Sequence, residues 1–420
     1  MALRQALARS SQMVGGTLGN LLFQLIRNKL LALALGPAGV GWIALVNNLV
    51  ETTATVAGGG VSDALNRELA RKRPAFTQRE IFSTALGIAL LIAAIAMPAV
   101  GVALAWVVPQ TLNFGLLALG VVVAIAGATG WRILAGLFLG LGLARRMALA
   151  TLAGAAANLV LTAILLSLGA TEPLLFVMLS PLCVAICGLI AARSRLPALI
   201  ERAAIRALPA KGPVLQIALP VSIGLLLDPL TSLYLRSAVG LQLGEVAIGL
   251  LQPGFLFVLL AASIFNAIAG ITIVRWDQSH ERALSRRYAL LLGAALALPL
   301  LGIFVIWLLQ PVYPFLISLL FADEFRSGAS AVPWLLAGEA LRMGGALFLF
   351  TFLSRQLGYL TILPRLAGLL TAIAMIELSP QLTIELAAQS YAVAFVANFA
   401  LSLVLWLGLQ LRLRGAGEAV

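Results

Sequence analysis

The chain has 420 residues, of which 61% are hydrophobic and 10% charged, with a mean hydropathy of +1.05 and a formal net charge of +12. Soluble domains carry roughly 25% charged residues and show much of their surface to water. The composition excludes a soluble enzyme, a disordered chain and a secreted disulfide scaffold, and leaves a polytopic integral membrane protein.

A bilayer-crossing helix needs about 20 mainly apolar residues. Twelve runs qualify, over 12–35, 40–58, 81–107, 112–139, 147–168, 174–192, 214–237, 245–270, 288–309, 331–353, 360–377 and 386–410. They are too long and too continuously apolar for barrel strands, which alternate every second residue. The predicted fold is all-α, with about 12 transmembrane helices in two six-helix lobes, 1–200 and 214–420. A basic cytoplasmic linker, 201–213, joins them. The wider connection 193–213 spaces Leu196, Leu199, Ile200, Ala203 and Ile205 as a short amphipathic helix on the membrane surface. Two six-span halves suggest an internal repeat, a common transporter plan. Gly58-Gly59-Gly60 closes span two and predicts a turn. Gly136 and Gly140 predict a helix contact, and Pro220, Pro229, Pro253, Pro299 and Pro364 predict kinks.

Loop charge sets the orientation. Twenty-one of the 28 basic residues fall in segments on the N-terminal side of the membrane, and only Arg326 falls in a loop on the other. Positive loops stay inside, so both termini are expected in the cytoplasm. The first run carries Arg27 and Lys29, which do not suit a cleavable leader. The basic residues are scattered among short loops, so no nucleic-acid partner is expected. Cys183 and Cys187 share one helix face, and His280 is the sole histidine. No metal, cofactor or catalytic residue is expected from such a set.

The informative residues are those that lipid should exclude. Nine charges lie within the spans: Arg27, Lys29, Glu51, Arg132, Asp228, Arg236, Glu339, Arg342 and Arg365. Each is a functional candidate by default. Lys29, Arg236 and Arg365 lie near span ends, where a long side chain can snorkel to the interface. Asn20, Gln24, Arg27 and Asn28 form one stripe in span one. Asn47, Asn48, Glu51, Thr52 and Thr55 form another in span two. Asp228, Ser232 and Arg236 repeat along span seven, and Glu339 and Arg342 share a face of span ten. Polar stripes must face protein or water. They predict a hydrated cavity between the halves, lined by Arg27, Lys29, Arg132, Arg342, Asn20, Gln24 and Asn48. The alternative is a set of structural ion pairs, Glu51 with Arg27 and Glu339 with Arg342. Three acids against six bases favour a cationic chamber for a cargo bearing phosphate. Glu51, Asp228 and Glu339 are then candidates for ion coupling.

Particular segments carry a resemblance. Lys29-Leu30-Leu31-Ala32-Leu33-Ala34-Leu35-Gly36-Pro37-Ala38-Gly39-Val40-Gly41, a polar second span, and Ala57-Gly58-Gly59-Gly60 resemble the N-terminal pattern of Wzx-type polysaccharide-lipid flippases. These belong to the multidrug/oligosaccharidyl-lipid/polysaccharide exporter superfamily. Glu245-Val246 with Gly249 and Gln252, and Trp334-Leu335-Leu336-Ala337-Gly338-Glu339-Ala340-Leu341-Arg342, are similar to that group's turn into span eight and to its span ten. Leu320-Phe321 and Phe325 fit its last long outer loop. Within the group the likeness leans to the enterobacterial-common-antigen lipid III and O-antigen flippases.

The resemblance implies a V-shaped bundle with a central cavity. It implies movement of an undecaprenyl-diphosphate-linked oligosaccharide from the cytoplasmic to the periplasmic leaflet of a bacterial inner membrane, by alternating access. A polysaccharide polymerase and a chain-length regulator are the protein partners implied. Lys29, Glu339 and Arg342 match family positions, whereas Asn47-Asn48 stand where many relatives carry a base. A drug/cation antiporter of the same superfamily is the competing reading, but it would favour an acidic cavity. A polysaccharide polymerase or ligase would need a larger outer domain.

Overall fold

A computed structural model describes residues 2–70, 76–107, 114–196, 211–277, 284–354 and 357–417, and among them there is no strand. Among the described residues thirteen α-helices follow one another: α1 Ala2–Ala54, α2 Gly60–Ala70, α3 Gln78–Val107, α4 Phe114–Gly140, α5 Ala144–Ser167, α6 Pro173–Ala192, α7 Lys211–Leu243, α8 Glu245–Asp277, α9 Leu284–Leu308, α10 Tyr313–Leu320, α11 Val332–Ser354, α12 Ile362–Glu377 and α13 Ile384–Gly417. Eleven helical runs among the described residues are long and apolar enough to cross a membrane. Leu300, Leu301 and Phe304 on α9 are each more than 60% exposed. Such a surface is stable only against hydrocarbon.

The first run, Gly15–Ala70, covers 56 residues. At 1.5 Å per residue that is far longer than one crossing. Gly36 breaks it, with φ 64° and ψ −173°. The positive φ suits glycine, and the extended ψ is what the following Pro37 demands. Spans one and two are therefore the two limbs of α1. Span seven ends in a comparable way: Leu33-Ala34-Leu35-Gly36 is matched by Leu241-Gln242-Leu243-Gly244, where Gly244 has φ 88°.

The triple glycine does not make the expected turn. Thr55–Gly59 form a π-helical turn, and the helix continues through it into α2. The preceding threonines supply a cause. Thr52, Thr53 and Thr55 donate to the carbonyls of Asn48, Leu49 and Glu51, at 2.6–2.8 Å. Threonine hydroxyls bonded four residues back compete with the backbone ladder and loosen it. The glycines let neighbouring backbones approach. A Cβ at Gly58 would sit 3.1 Å from Cβ of Arg132 on α4, and one at Gly60 would lie 2.5 Å from Ser222 Oγ on α7. Gly60→Ala should therefore push α2 off α7 and cost about 1–3 kcal/mol, read as a lower melting midpoint of the purified protein. An unchanged midpoint would show that this contact is slack.

The chain forms two compact units, Met1–Pro229 and Leu230–Val420. The boundary falls inside α7, not at residue 214. Val214 and Ala218 are buried with Leu65, Phe82 and Phe138 in the first unit's core, so the opening turns of α7 belong there. Most of linker 201–213 and of the amphipathic segment lies outside the described residues.

Each unit is built around a glycine-bearing helix. In the first it is α4. A Cβ at Gly127 would meet Pro181 of α6, and Gly136 and Gly140 would meet Ser62 and Leu69 of α2, all at 2.6–3.1 Å. The expected contact at Gly136 and Gly140 is thus present. In the second unit it is α11, where a Cβ at Gly338 would meet Tyr391 of α13 and one at Gly344 would meet Ala295 of α9, each at 2.7 Å. Close packing without side chains is the usual device where lipid removes the hydrophobic drive between helices. Pro220, Pro229, Pro253 and Pro299 lie inside helices. Pro364 does not kink one. It stands in the first turn of α12, where a missing N–H costs nothing.

Candidate functional site

The first unit encloses a cavity of about 430 Å³. Its walls come from the stripes that lipid would reject. The first limb of α1 supplies Asn20, Gln24 and Arg27, and its second limb supplies Glu51. Ser62 and Asp63 come from α2, Trp131 and Arg132 from α4, Thr151 and Asn158 from α5, and Ser180 and Pro181 from α6. On α1 and on α5 the lining residues recur at i, i+4 and i+7, one face of a helix. Gly16 lets these two helices meet, since a Cβ there would lie 2.8 Å from Cβ of Ala148.

Arg27 is 6% exposed. Its Nη2 donates to the Phe176 carbonyl at 2.6 Å and its Nε to Thr162 Oγ1 at 3.3 Å. One guanidinium thus ties α1 to α5 and α6. The Phe176 carbonyl can take this bond because an amide oxygen has two lone pairs. No carboxylate is an ion-pair partner of Arg27 among the described residues. The expected pairing of Glu51 with Arg27 is not made. Glu51 Oε2 instead accepts from Arg132 Nη2 at 2.7 Å, joining the second limb of α1 to α4. The close approach at Gly58 puts Arg132 beside that limb, whereas Arg27 points away into α5 and α6. The pair is open to the cavity, with side chains 31% and 59% exposed for Arg132 and Glu51. A pair this wet contributes little to stability and can exchange partners.

The lining of this cavity carries Arg27 and Arg132 against Glu51 and Asp63, so its formal charges cancel. The surplus expected from the spans is reduced because the helix continues past Gly60. That brings in Asp63, open to the cavity, and Glu68, which is 2% exposed, against one further base, the exposed Arg67. Of the residues expected to line a chamber, Lys29, Asn48 and Arg342 are half-buried and stand outside this lining, as does the coupling candidate Asp228.

In the second unit Glu339 and Arg342 pair within α11. Nε and Nη2 of Arg342 donate to the two carboxylate oxygens at 2.7 and 2.6 Å. Glu339 is 1% exposed, while the arginine side chain is 25% exposed. Arg236 does not snorkel. It is 7% exposed and stacks on Phe255 of α8, with Cζ 4.1 Å from the ring centroid. Phe255 meets Tyr391 edge-on at 5.7 Å, and Tyr391 meets Phe395 at 4.8 Å. An arginine over an aromatic face keeps its charge at low hydration cost. Lys29 and Arg365 are half-buried. Asp323 pairs with Arg326 at 2.9 Å, a local surface bridge. Cys183 and Cys187 are free thiols, and no metal-holding cluster of His, Cys, Asp and Glu is present among the described residues.

Trp131, Asp63, Asn158 and Ser180 were not picked out from sequence. Asn158 had a legible signal, since Thr151, Asn158 and Thr162 share one face of span five, but the stripe holds no charge.

No protein-family model matches the chain, and no curated protein matches it. Solved structures do. The inward-facing conformation of a multidrug resistance MATE family transporter of the MOP superfamily is 18% identical, with TM-score 0.68, covering 95% of this chain and 96% of that one. The outward-facing conformation of such a transporter is 18% identical with TM-score 0.67, covering 98% and 96%. The fold is that of the MOP superfamily transporters. A third similar structure is a MOP superfamily transporter from Pyrococcus furiosus, in which reverse polarity of the binding pocket suggests a different function. It is 19% identical with TM-score 0.61, covering 97% of this chain and 95% of that one. At these identities the likeness establishes architecture and leaves cargo to the site chemistry.

Proposed function

We propose that the protein is a flippase that carries an undecaprenyl-diphosphate-linked oligosaccharide from the cytoplasmic to the periplasmic leaflet by alternating access, for surface-polysaccharide assembly. The observation that carries this reading is a cavity of about 430 Å³, in whose wall amides, hydroxyls and four charged side chains stand among apolar ones, within a lobe whose outer faces are apolar. A lipid tail can stay in hydrocarbon while its polar headgroup needs such a chamber to cross. The segment resemblance to Wzx-type flippases supports the same cargo. Inward- and outward-facing structures of this fold support alternating access. The loop charges favour a multi-pass protein of the bacterial inner membrane with both termini in the cytoplasm. A polymerase and a chain-length regulator are the partners that would receive the product.

The arginines expected to take phosphate are already engaged: Arg132 with Glu51, and Arg342 with Glu339. Carriage therefore requires partner exchange. A proton arriving on Glu51 removes the charge that holds Arg132, and the guanidinium turns to a phosphate oxygen. When the proton leaves, the ion pair re-forms and the headgroup is released. Glu339 and Asp228 are the further coupling candidates.

Glu51→Gln keeps the shape and removes the titration. In cells lacking the native gene, it should lower export of the surface glycan at least tenfold and abolish dependence on the proton gradient, with lipid-linked oligosaccharide accumulating in the inner leaflet. Normal gradient-dependent export by Glu51→Gln, Glu339→Gln and Asp228→Asn alike would dismiss the coupling scheme. Normal surface glycan in the knockout, together with new drug sensitivity, would replace the flippase by a drug antiporter.

A further inference from the structure

We infer that the first-unit cavity contains a sugar subsite: a pyranose ring stacks on Trp131 and is held by the amide of Asn158, beside the arginine that takes phosphate. This inference rests on the flippase reading and specifies which part of the cargo the cavity grips. Three observations support it.

The formal charges of the lining cancel, so the cavity has no surplus with which to hold a bare anion. The guanidinium of Arg27 is committed to Thr162 and Phe176. What the cavity offers in quantity is neutral hydrogen bonding, from Asn20, Gln24, Asn158 and Ser180, next to the aromatic side chains of Phe23 and Trp131. Amides and hydroxyls match sugar hydroxyls in number and direction, and an aromatic face takes the C–H side of a pyranose ring.

Asn158 is the second observation. It is 3% exposed, it lines this cavity, and its Oδ1 is buried without a hydrogen-bond partner. Buried amide oxygens are nearly always satisfied, and an orphan acceptor calls for a donor such as a hydroxyl. Its neighbour on the same helix, Thr162, is by contrast already bonded to Arg27.

Third, Trp131 is set rigidly. A Cβ at Gly188 of α6 would lie 3.0 Å from Cε3 and Cζ3 of its ring, so the indole rests on that bare backbone. Trp131 and Arg132 are adjacent on α4. The sugar bonded directly to the diphosphate is the part of the cargo that must sit beside a phosphate-binding arginine. The cavity volume lies within the range of about 300–1,000 Å³ of small-ligand sites, enough for one or two rings and not for a whole repeat unit.

The test uses the full chain in phosphatidylcholine nanodiscs, free of sugar detergents. A panel of methyl glycosides of uncharged hexoses and N-acetylhexosamines is titrated by calorimetry, with inorganic pyrophosphate as competitor. At least one glycoside should bind. Trp131→Leu and Asn158→Leu should each weaken it tenfold or more, while Trp131→Phe keeps most of the affinity. A melting midpoint for every variant separates lost binding from lost folding. Binding of no glycoside, binding that survives both Trp131→Leu and Asn158→Leu, or displacement of the glycoside by pyrophosphate would each overturn the subsite. The flippase reading is judged separately by surface-glycan export in cells, which can persist while the subsite fails.

Discussion

Arg342→Met will lower the stability of the purified protein more than any other single change at the charged sites, by about 3–5 kcal/mol, the range for breaking a buried ion pair from one side. The asymmetry of the pair sets the sign. Glu339 is 1% exposed and receives two charge-assisted hydrogen bonds from Arg342, which is itself 25% exposed. Removing the arginine strips both bonds from a carboxylate with no access to water. Glu339→Leu leaves the better-hydrated partner behind and should cost less. The double variant Glu339→Leu, Arg342→Met should be more stable than Arg342→Met alone, because both desolvation penalties vanish together. Melting midpoints of the four proteins make a double-mutant cycle. A double variant no better than Arg342→Met would mean that α11 depends on these side chains for packing and not for charge.

Arg27→Ala should destabilise the first unit by about 2–4 kcal/mol, since it deletes two hydrogen bonds from a charged donor and leaves the Phe176 carbonyl with one bond fewer in a buried site. Arg27→Lys should recover little, because one ammonium group does not reproduce a planar fork that reaches two helices. The melting midpoint and the export rate should fall together. A ligand-binding role would give a different result: export lost at an unchanged midpoint. That outcome would return Arg27 to the cargo and remove it from the frame that holds α1 against α5 and α6.

Particular residues show how much was legible. The apolar runs marked the crossing helices within a few residues, because a bilayer leaves the backbone few alternatives to a helix and the length of a crossing is set by its thickness. The gap between the runs 12–35 and 40–58 marked the break in α1, which falls at Gly36. The stripe Asn20, Gln24, Arg27 marked a wall of the cavity, because spacing along one helix decides which residues share a face. The Glu339–Arg342 pair was legible for the same reason: its partners are three residues apart.

Other features were hidden. Gly58-Gly59-Gly60 reads as a turn on local propensity, yet it continues as helix because α4 and α7 close on it and threonine hydroxyls loosen the ladder just before it. Arg236 reads as an interfacial lysine-like anchor, yet Phe255 from the next helix covers it. Asp63 was missed because span two was ended before it.

The chain alone determined a multi-span helical membrane protein with charge set into its helices, since hydropathy and helical period act within one turn or one span. Only the packed structure decided that Glu51 meets Arg132, that Arg27 is committed to Thr162 and Phe176, and that Asp63 joins the cavity wall so that its formal charges cancel. Those partners are separated by 81, 135 and 149 residues. Which of them meet depends on where glycines let helix backbones close, and that is a property of neighbouring helices together and of no one segment.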